Sequence, residues 1–159
     1  MDQSATGMKA DYKVVKAHAF DAFEVDNIKL SEVHLPNTIE IIENHAFYYL
    51  ITLKQASKTP GHLSDSLKKI NHNAFSGSTM VPGILNLIEL PPSLEFVGQQ
   101  AFFNAGPNVT LSSLPDSLKQ IDSYAFAHLP NIKIEFFGSN DLNKGLTFIG
   151  GQAFYNSGT

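Results

Sequence analysis

The side chains able to carry acid–base, nucleophilic or metal chemistry are scattered along the sequence rather than grouped. Cysteine is absent, which excludes disulfides, thiolate metal ligation and a cysteine nucleophile. The six histidines never pair at the spacing that a metal ion needs on one strand or helix. A P-loop, a dinucleotide fingerprint, a nucleophile elbow and a His-Glu-x-x-His motif are also missing. We therefore predict no catalytic, cofactor-binding or metal-binding residues.

The charge balance argues against nucleic acid as a partner. All 11 cationic residues are lysines, the formal net charge is -4, and arginine, the commonest reader of guanine, is missing. Hydrophobic residues make up 43% of the 159 residues, which is enough for the core of one domain. No apolar run approaches the roughly 18 residues of a membrane span. The first residues are polar, so the protein is either surface-bound or secreted after removal of a signal, or intracellular.

An Ala-Phe pair recurs at nearly constant spacing and organises the whole sequence. The pairs are separated by 27, 28, 27, 24 and 28 residues, and such a period is typical of a solenoid of stacked coils. A single coil cannot bury its own apolar edge, so we predict that the phenylalanines stack as the structural core. The six pairs are Ala19-Phe20, Ala46-Phe47, Ala74-Phe75, Ala101-Phe102, Ala125-Phe126 and Ala153-Phe154.

Two further signals precede each pair. Apolar residues lie seven and four positions before the alanine, as Ile39 and Ile42 do before Ala46. Upstream of them a Leu-Pro turn element recurs, as in residues 90–93 (Leu-Pro-Pro-Ser), where proline ends a strand. Residues 63–66 (Leu-Ser-Asp-Ser) are the same element without proline.

The spacing Leu-x-x-Φ-x-Φ before the turn, with Φ an apolar residue, predicts one strand in each coil. Leu30, Val33 and Leu35 show this spacing, and its last two positions alternate as a strand with one buried face requires. On this register the outward positions are Glu32, His34, Thr52, Lys54, Leu87, Glu89, Ser113, Asn131, Lys133 and Glu135.

A helix is the alternative for the segment that leads into each Ala-Phe pair, which we call a corner of the coil. The apolar positions between Ile39 and Phe47 also describe one face of a helix of about two turns. The period is shorter than the roughly 33 to 47 residues of helical-pair repeats, which favours strand and coil. The aromatic side chains beside the corners predict either a surface stripe or a second core layer: Tyr48, Tyr49, Phe103, Tyr124 and Tyr155.

Residues 90–102 (Leu-Pro-Pro-Ser-Leu-Glu-Phe-Val-Gly-Gln-Gln-Ala-Phe) and 114–126 resemble the BspA-type, or Treponema pallidum-type, leucine-rich repeat. The resemblance covers residues 12–159 and implies a right-handed leucine-rich repeat solenoid of about six coils. Such a solenoid is mostly parallel β, with short helical or 3-10 segments and turns. Residues 1–11 are then a polar N-terminal segment or a partial cap. One departure is that Ser78, Ala105 and Ser157 lie where family repeats often carry cysteine.

The resemblance implies a non-enzymatic module that binds protein through its strand face, at the outward positions given above. Two settings stay open, namely a surface adhesion or host-interaction protein and an intracellular scaffold subunit of a larger assembly. A carbohydrate-active β-solenoid enzyme is a remote third alternative, which the absence of arginine and of a dense aspartate cluster disfavours. The sixth corner lacks a polar closing unit, so we also expect contact with a protein partner through this uncapped C-terminal coil.

Overall fold

The computed structural model describes residues 12–23, 30–57, 61–78, 80, 82–134 and 145–158. One sheet of six short parallel strands, paired in chain order, runs through these residues. The strands are β1 (Val14–Val15), β2 (Ile41–Ile42), β3 (Lys69–Ile70), β4 (Phe96–Val97), β5 (Gln120–Ile121) and β6 (Phe148–Ile149). One coil of chain separates each strand from the next, so the predicted parallel-β repeat solenoid is confirmed.

The strands of this sheet form in the segment that leads into each corner, and not in the Leu-x-x-Φ-x-Φ segment. In the second coil Ile39 and Ile42 are buried, while Glu40 and Ile41 between them are partly exposed. The N–H groups of Glu40 and Ile41 both donate to the carbonyl of Lys13 in the preceding coil, at 2.7 and 3.1 Å. Two consecutive residues thus share one acceptor, as in a β-bulge. Side chains that point inward are therefore three residues apart along the chain, instead of the two of a regular strand. This spacing imitates a helix face, but the segment is a strand followed by a turn.

Hydrogen-bonded turns stand where the resemblance implied short helical segments, and no helix occurs within the described ranges. At each of the five steps between coils, the N–H of the corner phenylalanine donates to the carbonyl of the next corner alanine, at 2.7 to 2.8 Å. The corner backbone therefore continues the ladder that the strands begin. Residues 1–11, predicted as a polar segment or partial cap, lie outside the described residues.

The residue before each corner alanine adopts a left-handed backbone conformation. Its φ lies between 54° and 59° in all six coils, and glycine occupies none of these positions. Such a φ is uncommon for residues with a side chain, although asparagine and histidine tolerate it better than most. The turn directs the alanine inward, and Ala46, Ala74, Ala101 and Ala125 are completely buried.

The corner phenylalanines form one continuous stack through the core. Neighbouring ring centroids lie 5.0 to 5.4 Å apart, and the planes of neighbouring rings differ by 11° or less. The four inner rings are buried, whereas Phe20 and Phe154 at the two ends are partly buried. Stacked aromatic pairs contribute about 0.5–1.5 kcal/mol each beyond the area that they bury.

We expect the substitution Phe102→Ala to lower the free energy of unfolding by about 3–5 kcal/mol, because it leaves a cavity and removes two ring contacts. The matched control is Phe148→Ala, whose side chain is 50% exposed and lies outside the stack; about 1 kcal/mol is expected there. Urea unfolding followed by far-UV circular dichroism measures both values. Equal losses for the two variants would contradict a core that depends on the stack.

Candidate interaction groove

The residues predicted to face outward lie on a second, looser ladder between the coils. Isolated parallel bridges join Glu32 to Gln55 and Leu87 to Val109 on this ladder. Thr52 is half-buried, and Glu135 lies outside the described residues. The predicted positions that are exposed are Glu32, His34, Lys54, Glu89, Ser113, Asn131 and Lys133.

The outward assignment of Leu87 is wrong, because its side chain is completely buried. Leu87 bridges both Gly61 and Val109, and Leu85 beside it is also buried. The exposed residue of this segment is Ile88, which is 43% exposed. Four apolar residues between positions 85 and 90 fit more than one register, so their spacing alone does not identify the outward one.

A groove of about 860 Å³ crosses four successive coils at the turns that open with leucine, three of which contain proline. The leucines that open three of these turns are buried and form its floor, namely Leu35, Leu63 and Leu90. Three prolines contribute rigid walls, namely Pro36, Pro92 and Pro115. Glu89 and Ser113, two of the predicted outward residues, also line the groove.

The groove owes part of its polar lining to the turn that lacks proline. There Ser64 is buried, and its hydroxyl donates to the carbonyl of Ile39 at 3.1 Å, which anchors the turn to the preceding coil. Asp65 follows and is exposed at the groove. The residue directly before this turn is His62, whose Nδ1 lies 3.6 Å from a carboxylate oxygen of Glu89.

The outer face of the six-stranded sheet carries a ladder of alternating charges that the sequence analysis missed. The ladder occupies the position six residues before each of the first five corner alanines, in the order Lys13, Glu40, Lys68, Glu95 and Lys119. Glu40 accepts hydrogen bonds from Lys13 and Lys68 at 2.7 and 2.8 Å, and Glu95 accepts one from Lys119 at 2.8 Å. The alternation of sign at one repeat position was the available signal, since like charges on neighbouring strands repel.

The ion pairs shift the acidity of these carboxyl groups. Hydrogen bonds from Lys13 and Lys68, together with their positive charges, lower the pKa of Glu40 to about 2. The hydrogen bond from Lys119 and its charge lower the pKa of Glu95 in the same way. Exposed pairs of this kind are individually weak, but a network across three coils favours the correct register of the strands.

The aromatic side chains beside the first two corners form a compact cluster. Phe23, Tyr48 and Tyr49 contact one another with ring centroids 4.4 to 5.7 Å apart. In the third coil Ser76 and Gly77 take the positions of the two tyrosines, so the cluster stops there.

A second aromatic cluster lies in the last coils. The rings of Phe103 and Tyr155 pack against His128, at 5.1 and 5.4 Å between centroids. Tyr124 contacts Tyr155 at 6.4 Å. The two clusters therefore do not join into one stripe along the solenoid.

Two of the six histidines stack beside the first corners. The rings of His18 and His45 are 5.0 Å apart and parallel within 2°. Burial and the neighbouring charge of His18 lower the pKa of His45. In the part of the chain that the structure describes, no group of three or more histidine, aspartate or glutamate side chains has a geometry that would hold a metal ion.

The repeat pattern matches a known family. The family model of the BspA type leucine-rich repeat region matches six copies, over residues 19–80 and 57–159. The chain belongs to the BspA-type leucine-rich repeat family. Comparisons with curated proteins and with solved structures found no significant match.

Membership of the BspA-type family indicates a protein-interaction repeat module, and the family is generally non-enzymatic. Stacked repeats present long surfaces to partners, which suits this role. Among the described residues, no helix has the length and apolar character needed to cross a lipid bilayer.

We expect the contribution of Glu40 to stability to disappear in acid. Its folded-state pKa of about 2 lies below the ordinary value of 4.5. The ion pairs therefore stabilise the fold fully above about pH 4.5, and this stabilisation is lost as the pH falls towards 2. The melting temperatures of wild type and Glu40→Gln, measured from pH 7 to pH 2, should converge at the acid end.

The control for this measurement is Asp116→Asn, because Asp116 is exposed and no lysine or histidine pairs with it within the described residues. Its melting temperature should follow that of wild type across the whole pH range. A difference between wild type and Glu40→Gln that stays constant down to pH 2 would contradict the pairing.

Proposed function

We propose that this BspA-type domain is a non-enzymatic protein-binding module and that its groove takes an extended segment of the partner. The observation that supports the proposal is the groove itself, because it spans four coils and combines a leucine floor with proline walls and polar rims. Binding clefts typically join an apolar base to a few polar groups in this way. Rigid walls lower the entropic cost of binding, because little of the site has to be ordered.

The dimensions of the groove suit a short extended peptide. Four coils stacked at about 4.8 Å span roughly 14 Å from the first turn to the last. An extended chain rises about 3.3 Å per residue, so four or five residues cover this distance. A segment of that length occurs in loops and termini of many partners. Such an activity serves surface adhesion to a host or matrix protein and an intracellular scaffold equally well.

Filling the groove should abolish partner binding. In the variant Ser113→Trp a bulky side chain replaces a small exposed one that lines the groove. We expect at least a tenfold loss of the partners captured from the source organism, measured by affinity pull-down with quantitative mass spectrometry.

The matched control is Ser112→Trp, because Ser112 is the neighbouring exposed serine but does not line the groove. It should capture the same partners as wild type. Recovery of no partner above background with wild type would count against a binding module. Equal capture by both tryptophan variants would count against the groove as its site.

We further propose that protein covers the outer edge of the last coil. Ile149 is 47% exposed there, whereas its equivalents in the five preceding coils are at most 5% exposed: Val15, Ile42, Ile70, Val97 and Ile121. Phe148 beside it is 50% exposed. An apolar strand edge of this kind is a template for association.

Association through this edge should appear as a dimer or larger species of the purified chain at high concentration, seen by sedimentation equilibrium. The variant Ile149→Lys should then be monomeric, because a charge on the edge opposes pairing. If the wild-type chain is monomeric at high concentration and its last coil resists proteolysis, the edge has no need of a partner and this proposal fails.

A further inference from the structure

The acidic side chains that line the groove are Asp65 and Glu89, and His62 lies beside them. Asp65 and Glu89 are exposed at its rim, and no lysine occurs among the described lining residues. The carboxylate of Asp65 has no hydrogen-bond or ion-pair partner within the described residues. Glu89 faces His62 at 3.6 Å, a distance too long for a hydrogen bond.

None of the described lysines lines the groove. Lys54 and Lys133, which belong to the predicted outward positions, are exposed but do not line the groove. On the sheet face, Lys13, Lys68 and Lys119 are already paired with glutamates. The described part of the groove is therefore a negative cleft with an apolar floor.

We infer that the groove selects an extended segment carrying lysine or arginine, an inference that rests on the proposed function. The aliphatic stem of a lysine or arginine covers apolar surface while its charged end reaches a rim carboxylate. Complementary charges of this kind raise the association rate and reject acidic segments.

Fluorescence anisotropy with three labelled heptapeptides tests the inference. The peptides share an alternating valine frame and carry three lysines, three glutamines or three glutamates at the other positions. At about 20 mM salt we expect the lysine peptide to bind about fivefold to tenfold more tightly than the glutamine peptide. This advantage should shrink at about 0.5 M salt because exposed charges are screened. The glutamate peptide should bind most weakly.

Variants of the protein assign the preference to the groove. The double variant Asp65→Asn with Glu89→Gln should bind the lysine and glutamine peptides equally. The matched control is Glu43→Gln with Glu95→Gln, which removes the same charge from two glutamates that pair with Lys16 and Lys119 and do not line the groove, and it should keep the preference. The charge-reversed variant Asp65→Lys with Glu89→Lys should prefer the glutamate peptide.

Three results would overturn the inference: equal binding of the lysine and glutamine peptides to wild type, a lysine preference that survives in Asp65→Asn with Glu89→Gln, or no binding of any peptide. The proposed function is judged separately. If Ser113→Trp still removes a natural partner while wild type shows no lysine preference, the groove binds protein and only its charge selectivity is refuted.

Discussion

Contact between successive coils holds this protein together, because no coil of 24 to 28 residues encloses a core of its own. Two sets of contacts act at the same corner, namely the stacked phenylalanine rings and the hydrogen bond from each phenylalanine N–H to the next alanine carbonyl. The ring centroids lie 5.0 to 5.4 Å apart, slightly more than the usual strand spacing of about 4.8 Å. Both contacts therefore repeat at nearly the same interval. Each coil has to bring its Ala-Phe corner next to the corner of the preceding coil.

The features that recur in every coil were predictable from the sequence for this reason. A residue type that must meet its own copy in the next coil recurs at a fixed interval, so the Ala-Phe corners, the solenoid and the number of coils followed directly. The position of the strands did not follow from the sequence. The shared acceptor at each strand places inward-pointing side chains three residues apart instead of two. Ile39 and Ile42 then look like a helix face, although they flank a bulged strand.

Features that belong to single coils were harder to predict. Leu87 lies in an apolar run that fits two registers, and its complete burial shows that it points inward. Part of the groove is lined by Asp65 and His62, which lie in and just before a turn that lacks the proline of its two neighbours. Glu89 and Ser113 were named from the register, whereas Asp65 and His62 were not, because they lie where the repeat is broken.

The way in which charges are paired separates the two sides of the solenoid. On the sheet face each glutamate of the ladder meets a lysine of a neighbouring coil, so these charges act on one another and favour the correct stacking of the strands. At the groove Asp65 and Glu89 have no lysine partner within the described residues, and both are exposed. Exposed carboxylates beside a rigid apolar floor lose little free energy when a cationic side chain replaces their hydrating water. The paired glutamates would first have to break their ion pair with a lysine. The repeat thus supplies a stable frame, and in the function that we propose the coils that depart from it distinguish one partner from another.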